Sequence, residues 1–285
     1  MAILNKEKRN KEKEEKGIPT KDKMTEFLGK LSEQEYDLLP ALRNTHLKEF
    51  MQSPAHYKYA VTAPRKDASY FLLGNYVHTA ILEPEKVADK FVSIDVKSRN
   101  SKEYKNAAQV AYAQGKLPLL AGEIAEAKGM IQSALNDSAI IDLIKSGYPE
   151  LTATAKLDDV WAKCRMDLWI PEEGHIVDVK TSADSAFWFS HTVRKYSYDI
   201  QAAYYSDIVE KASGSKVNKF SFILIEKKPP YICRLFELSG GYLDWARARY
   251  RPALKEFKKC LELDHWPAFD NSIPVILTSP EEGKK

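Results

Sequence analysis

Two runs of alternating side chains, ELTATAKL (150–157) and VWAKCRMDLWI (160–170), meet at Asp158-Asp159. A third run, HIVDVKTS (175–182), follows the turn-like PEEG. Apolar and β-branched residues at every second position make strands, and a short acidic break between two such runs marks a hairpin. A chain with this block near its centre has to build a sheet. Helical periodicity flanks the block on both sides, in AGEIAEAKGMIQSALNDSAIIDLIKS (121–146) and in SYDIQAAYYSDIVEKAS (197–213). The strongly apolar run KFSFILIEK comes next. The order helix, three strands, helix, strand predicts an α/β (α+β) fold, with a mixed central sheet between helices.

The remaining segments extend that plan. MTEFLGKLSEQEYDLL reads as helical, NTHLKEFMQSPAHYKYAV as two short helices meeting near Pro54, and YFLLGNYVHTAILEPEKV as a helix that Pro84 ends. KFVSIDV and YICRLFEL read as short strands, and GYLDWARARYRPALKEFKKCLEL as a closing helix bent at Pro252. The first 23 residues mix Lys and Glu with little apolar content, so a disordered charged tail is expected there. Residues 24–285 are expected to form one domain. Its parts are an N-terminal helical layer (24–120), a core (121–226) and a C-terminal strand and helix (227–285).

Composition narrows the function. No apolar run approaches the roughly 20 residues that cross a bilayer, and the N-terminus lacks the pattern of a signal peptide, so a cytoplasmic location without membrane contact is expected. Cys164, Cys233 and Cys260 are odd in number and far apart, which excludes a disulfide framework, a zinc knuckle and an iron–sulfur cluster. The net charge of +3 makes no global case for nucleic acid, although VRKYSY, EKKPPYICR and RARYRPALKEFKK set Lys and Arg beside aromatics.

The third strand carries the chemistry. Alternation puts Asp178 and Lys180 on one face, about 6–7 Å apart at Cα, and Val177 and Val179 on the other. If the strands pair in order, Asp167 reaches the same end of the sheet. Two converging carboxylates suit a hard divalent cation such as Mg²⁺. Lys180 then either orients a water and offsets charge at phosphorus, or takes the water's proton. An Asp-x-Lys pair alone reads equally as a salt bridge on a sheet face.

RMD, then DVK, then YDIQAAYYSD together resemble the PD-(D/E)xK nuclease superfamily and its restriction-endonuclease-like core. Gln201-x-x-x-Tyr205 resembles the QxxxY motif of the RecB-type branch, and LLGNYVHTAILEP its histidine helix. With DHWPAF, the set is most similar to RecE-type exonucleases (exonuclease VIII) of phage recombination, over about residues 40 to 270. Met166 stands where proline is common in that superfamily.

The resemblance implies Mg²⁺-dependent (or Mn²⁺-dependent) 5′-to-3′ digestion of double-stranded DNA ends, leaving 3′ tails. It also implies a single-strand annealing protein as partner and a homo-oligomeric ring. Asp167 and Asp178 would be metal carboxylates, Lys180 the catalytic lysine, and His78 and the Val179 carbonyl further ligands. Gln201 and Tyr205, on one helix face, would contact DNA or hold the lysine and metal shell. Arg194 and Lys195 would meet phosphates. Glu150 is expected as a solvated strand end. Arg165 is expected on the face away from Asp167, as a salt bridge or a DNA contact. A structure-selective endonuclease of the same fold and a non-catalytic scaffold for DNA ends or partner proteins are the alternatives.

Overall fold

A computed structural model describes residues 23–63 and 70–269. The charged tail expected over 1–23 lies outside them, apart from Lys23. The elements are β1 (Phe27–Lys30), α1 (Glu33–Leu38), β2 (Leu42–Arg43), α2 (Asn44–Gln52), α3 (Pro54–Thr62), α4 (Tyr70–Leu82), α5 (Val87–Lys90), β3 (Phe91–Ile94), α6 (Lys102–Ala113), β4 (Leu117–Leu120), α7 (Ala121–Leu135), α8 (Ser138–Ser146), β5 (Tyr148–Leu157), β6 (Val160–Ile170), β7 (His175–Ser182), α9 (Phe189–Lys195), α10 (Tyr198–Ser213), β8 (Lys219–Glu226), β9 (Cys233–Glu237) and α11 (Gly240–Leu263). The restriction-endonuclease-like arrangement of a mixed sheet between helices is present.

The main sheet runs β1-β5-β6-β7-β8-β9, with β7 and β8 parallel and the other neighbours antiparallel. The β5–β6 hairpin turns at Asp158 and Asp159, both with positive φ (43° and 64°), a conformation that short hairpin turns need and that Asp tolerates. Apolar side chains cover both sheet faces. Leu42, Met166, Ile176, Phe222, Tyr204 and Tyr250 belong to the cluster under α10 and α11. Val77, Met130, Ile140, Leu168, Val177, Val179 and Ile223 form the cluster under α4, α7 and α8.

Several local expectations change. The run from Met24 is a strand followed by a helix, because β1 takes the free edge of β5 and α1 begins at a Ser32–Glu35 capping box. The layer expected to be helical therefore gives β1 and β2 to the main sheet, and β3 and β4 form a small parallel sheet of their own. The long helix of 121–146 is two, because the Asp137 carboxylate accepts from the N–H groups of Ala139 and Ile140 and starts α8 afresh. The polar stretch after Lys97 contains α6, which Ser101 caps. Pro252 lies inside α11.

The central sheet is incomplete between β6 and β7. They pair only at Leu168–Val177, Trp169–Ile176 and Ile170–His175, and the strands then part. The far end of that β6 edge is taken by β2, parallel to it at Ala162 and Lys163. The fork between these two pairings opens beside Asp167 and Asp178.

Candidate active site

Each side of the fork supplies one acid. Met166 packs under α10 and Leu168 under α4, so the alternation of β6 breaks at Asp167. The Asp167 carboxylate turns into the gap, where Oδ2 accepts the Val179 N–H at 2.7 Å, a bond that a continuous ladder would have used. The N–H and C=O of one strand residue point to the same side, so the Val179 carbonyl is aimed at the fork as well. Asp178 stands on the α10 face, 2% exposed. Its Oδ1 accepts from Gln201 Nε2 at 2.5 Å, and its Oδ2 is paired with Lys180 Nζ at 2.5 Å.

From the other face α4 brings His78. Its Nε2 lies 2.9 Å from Asp167 Oδ2 and its Nδ1 3.4 Å from Glu150 Oε1. Ligand atoms of His78, Glu150 and Asp167 all lie within 4.8 Å of one another, and these three form the convergent donor set among the described residues. One imidazole and two carboxylates, beside a backbone carbonyl, make a mixed nitrogen–oxygen site that fits a small divalent cation. Asp178 is held just across the fork by Lys180 and Gln201.

Glu150 is thus not a solvated strand end. It is largely buried, it faces Asp167 across the hairpin, and its backbone has φ 56°, a costly value for a residue with a Cβ. The hairpin register carries the signal for it. Stepping back seven residues from Leu157 and forward seven from Val160 lands on Glu150 and Asp167. Arg165 is likewise not turned away from Asp167. Its Nε meets Glu150 Oε2 at 3.0 Å, on the carboxylate that faces Asp167.

The electrostatics follow from this crowding. Burial disfavours the His78 imidazolium, but Asp167 and Glu150 outweigh it and raise its pKa to about 9. Burial opposes ionisation of Asp167 too, yet His78, Lys180 and the Val179 N–H hold its carboxyl below the usual range. Burial, with the Asp167 charge adding to it, pushes Asp178 up to about 6 against the pull of Lys180. Burial works against the Lys180 ammonium, but Asp178 and Asp167 override it and keep the amine charged. Burial, then the Asp167 charge, raises Glu150.

The QxxxY pair divides. Gln201 touches Asp178 directly, whereas Tyr205 is half-buried against the core beside it, its phenol held neutral by burial. Its neighbour Tyr204 is a core residue bonded to the Leu42 carbonyl. Arg194 and Lys195 are exposed at the end of α9. A cation that the motifs did not indicate also reaches the site. Lys48 of α2, placed at the fork by β2, donates to the Tyr196 carbonyl at 3.0 Å, and burial and then Lys180 lower its pKa.

Residues 44–273 match the family described as a PDDEXK-like domain of unknown function (DUF3799). The chain belongs to this PDDEXK-like family. No curated protein matches it in sequence. Among solved structures it is similar to a protein from Eubacterium rectale described as "Putative exonuclease", with 18% identity and a TM-score of 0.62 over 90% of this chain and 98% of that one. This shows a shared fold. A phage related exonuclease from Haemophilus somnus 129PT gives 11% identity and a TM-score of 0.35 over 79% of this chain and 96% of that one. Among the described residues no helix is long and apolar enough to cross a membrane.

Proposed function

We propose that the chain is a divalent-metal-dependent nuclease that digests double-stranded DNA from 5′ ends and leaves 3′ single-stranded tails for annealing-type recombination. The observation that carries the nuclease reading is the fork, which gathers His78, Glu150 and Asp167 within ligand reach and sets the Asp178–Lys180 pair beside them. Family membership and an exonuclease description on a protein of the same fold support it. Polarity, end preference and the recombination role rest on the resemblance of the HxxxLEP-, DVK- and QxxxY-type motifs.

His78, Glu150, Asp167, Asp178 and the Val179 carbonyl would hold Mg²⁺ or Mn²⁺. A cation bound there lowers the pKa of a coordinated water and polarises a phosphoryl oxygen. Lys180, kept charged by its two acids, orients the attacking water and offsets charge on the phosphorane rather than removing a proton. Gln201 fixes Asp178, and Lys48, Arg194 and Lys195 meet the backbone phosphates. A single-strand annealing protein and a ring of identical subunits complete the proposal.

The test is a linear duplex carrying a 5′ label, incubated with Mg²⁺, with Mn²⁺ and with chelator. Metal-dependent release of label from the end is expected, with a covalently closed circle left intact. Cutting confined to internal or branched sites would replace this reading with the endonuclease. No cutting with intact duplex binding would replace it with the scaffold. The solution mass of the protein tests the ring.

A further inference from the structure

The segment that follows β7 is unusual on two counts. From Ser185 to Tyr198 it holds Phe187, Trp188, Phe189, Tyr196 and Tyr198, together with His191, Arg194 and Lys195, and no acid. Phe187 and Trp188 are also 76% and 54% exposed, with their rings in edge-to-face contact at 4.9 Å. They are not on a loose loop. Ala186 before them is buried and donates to Glu226 Oε1 at 2.6 Å. Phe189 after them is buried against Phe236 and Phe222, with centroids at 4.6 and 5.6 Å. Two large apolar side chains are thus held out in water between two buried anchors, which costs free energy unless something covers them.

Their position identifies the occupant. The Lys180 ammonium lies 4.8 Å from the Tyr198 ring centroid, and Tyr198 leads on to the Tyr196 ring at 5.8 Å and to Phe189 at 6.3 Å. An aromatic track therefore runs from the candidate active site to this surface. Helix α4 follows β7 in the opposite sense. His78 stands at Asp167, and a Cβ on Gly74 would lie 3.1 Å from Thr181 Oγ1. Lys48 and Lys195 line the track at Tyr196.

Exposed rings for stacking, cations for phosphates and a segment that itself carries no acid are the chemistry that takes unpaired nucleotides. We propose that Phe187 and Trp188 form a stacking platform for the unpaired bases of a single strand leading to or from the cut site. The proposal deepens the nuclease reading and rests on it for the location of the cut.

The test uses the full chain in chelator, so that binding is read without cleavage. Fluorescence anisotropy of a labelled oligothymidine of about 12 nucleotides is compared with that of a blunt duplex hairpin. Replacing both residues (F187A with W188A) is expected to weaken oligothymidine binding roughly tenfold or more, while duplex binding changes less than about twofold and W188F keeps the single-strand affinity. Photocrosslinking of a 5-iodouracil oligonucleotide to the unmodified protein is expected to map to Phe187 or Trp188, and this readout does not depend on the variants folding. Unchanged oligothymidine affinity in the double variant, W188F as weak as alanine, or crosslinks confined to other surfaces would each overturn the platform. A protein that cuts duplex but fails these tests keeps the nuclease reading and loses the platform. One that cuts nothing but passes them keeps a single-strand site and loses the nuclease reading.

Discussion

Gln201 donates its side-chain amide to Oδ1 of Asp178 at 2.5 Å, across the gap between α10 and β7. A donor to a buried carboxylate favours the ionised form, which is the form that binds metal. Gln201→Ala should therefore move the Asp178 pKa above its present value of about 6. The acidic limb of the rate–pH profile should shift upward. The expected loss in kcat/KM is about tenfold near pH 7 and smaller near pH 9. An unshifted limb with a uniform loss would mean that Gln201 serves the DNA and not Asp178.

Metal binding should release protons. Without metal His78 is a cation up to about pH 9, and only neutral imidazole ligates. Affinity for Mn²⁺ should rise with pH until about 9, and calorimetry in buffers of different ionisation enthalpy should report the proton. His78→Ala should reduce that release to the share of Asp178 and Glu150 and weaken the metal. The same group sets a stability trend in the metal-free protein. Its folded pKa is raised, so its contribution is complete below about pH 6.5 and is lost as pH climbs through about 9. Thermal melts of chelated protein should fall over that window, and less so in the alanine variant.

Lys180→Met should separate chemistry from binding. The single-turnover cleavage rate should drop about 10²–10³-fold, by analogy with the loss of one preorganised electrostatic group, while Mn²⁺ affinity changes much less. Equal losses in both would show that the amine mainly supports Asp178.

Glu150→Gln keeps the shape of the side chain and removes a ligand charge. Metal affinity should fall by at least about tenfold, with far-UV circular dichroism unchanged. An unaltered titration would confine Glu150 to its pairing with Arg165.

Lys163 bears on stability, not on the chemistry. Its buried ammonium donates to the carbonyls of Tyr36, Asp37 and Leu39 at 2.7, 3.3 and 2.9 Å, closing the C-terminal end of α1. Lys163→Met strands those carbonyls and should cost about 2–4 kcal/mol in urea unfolding.

Much of the framework was legible in the sequence because local rules wrote it. The period-two runs, the Asp158-Asp159 turn and the QxxxY helix all fall where their patterns put them. What escaped is non-local. Phe27–Lys30 becomes a strand only because β5 offers a free edge. Glu150 looks like a strand terminus until the hairpin is counted out residue by residue. Lys48 sits in an ordinary amphipathic helix, and only the parallel pairing of β2 with β6 carries it to the site. Helix spacing likewise left Asp137 concealed within a long apolar pattern, where a cap splits α7 from α8.

The gap between β6 and β7 also limits how this protein could be hardened by engineering. The usual way to stiffen a sheet is to extend its pairing with β-branched residues, but here each added rung would occupy the amide that Asp167 needs. Gains in thermal tolerance should instead be sought at the α7–α8 joint or the small β3–β4 sheet. There, tighter packing leaves the separation of those strands untouched.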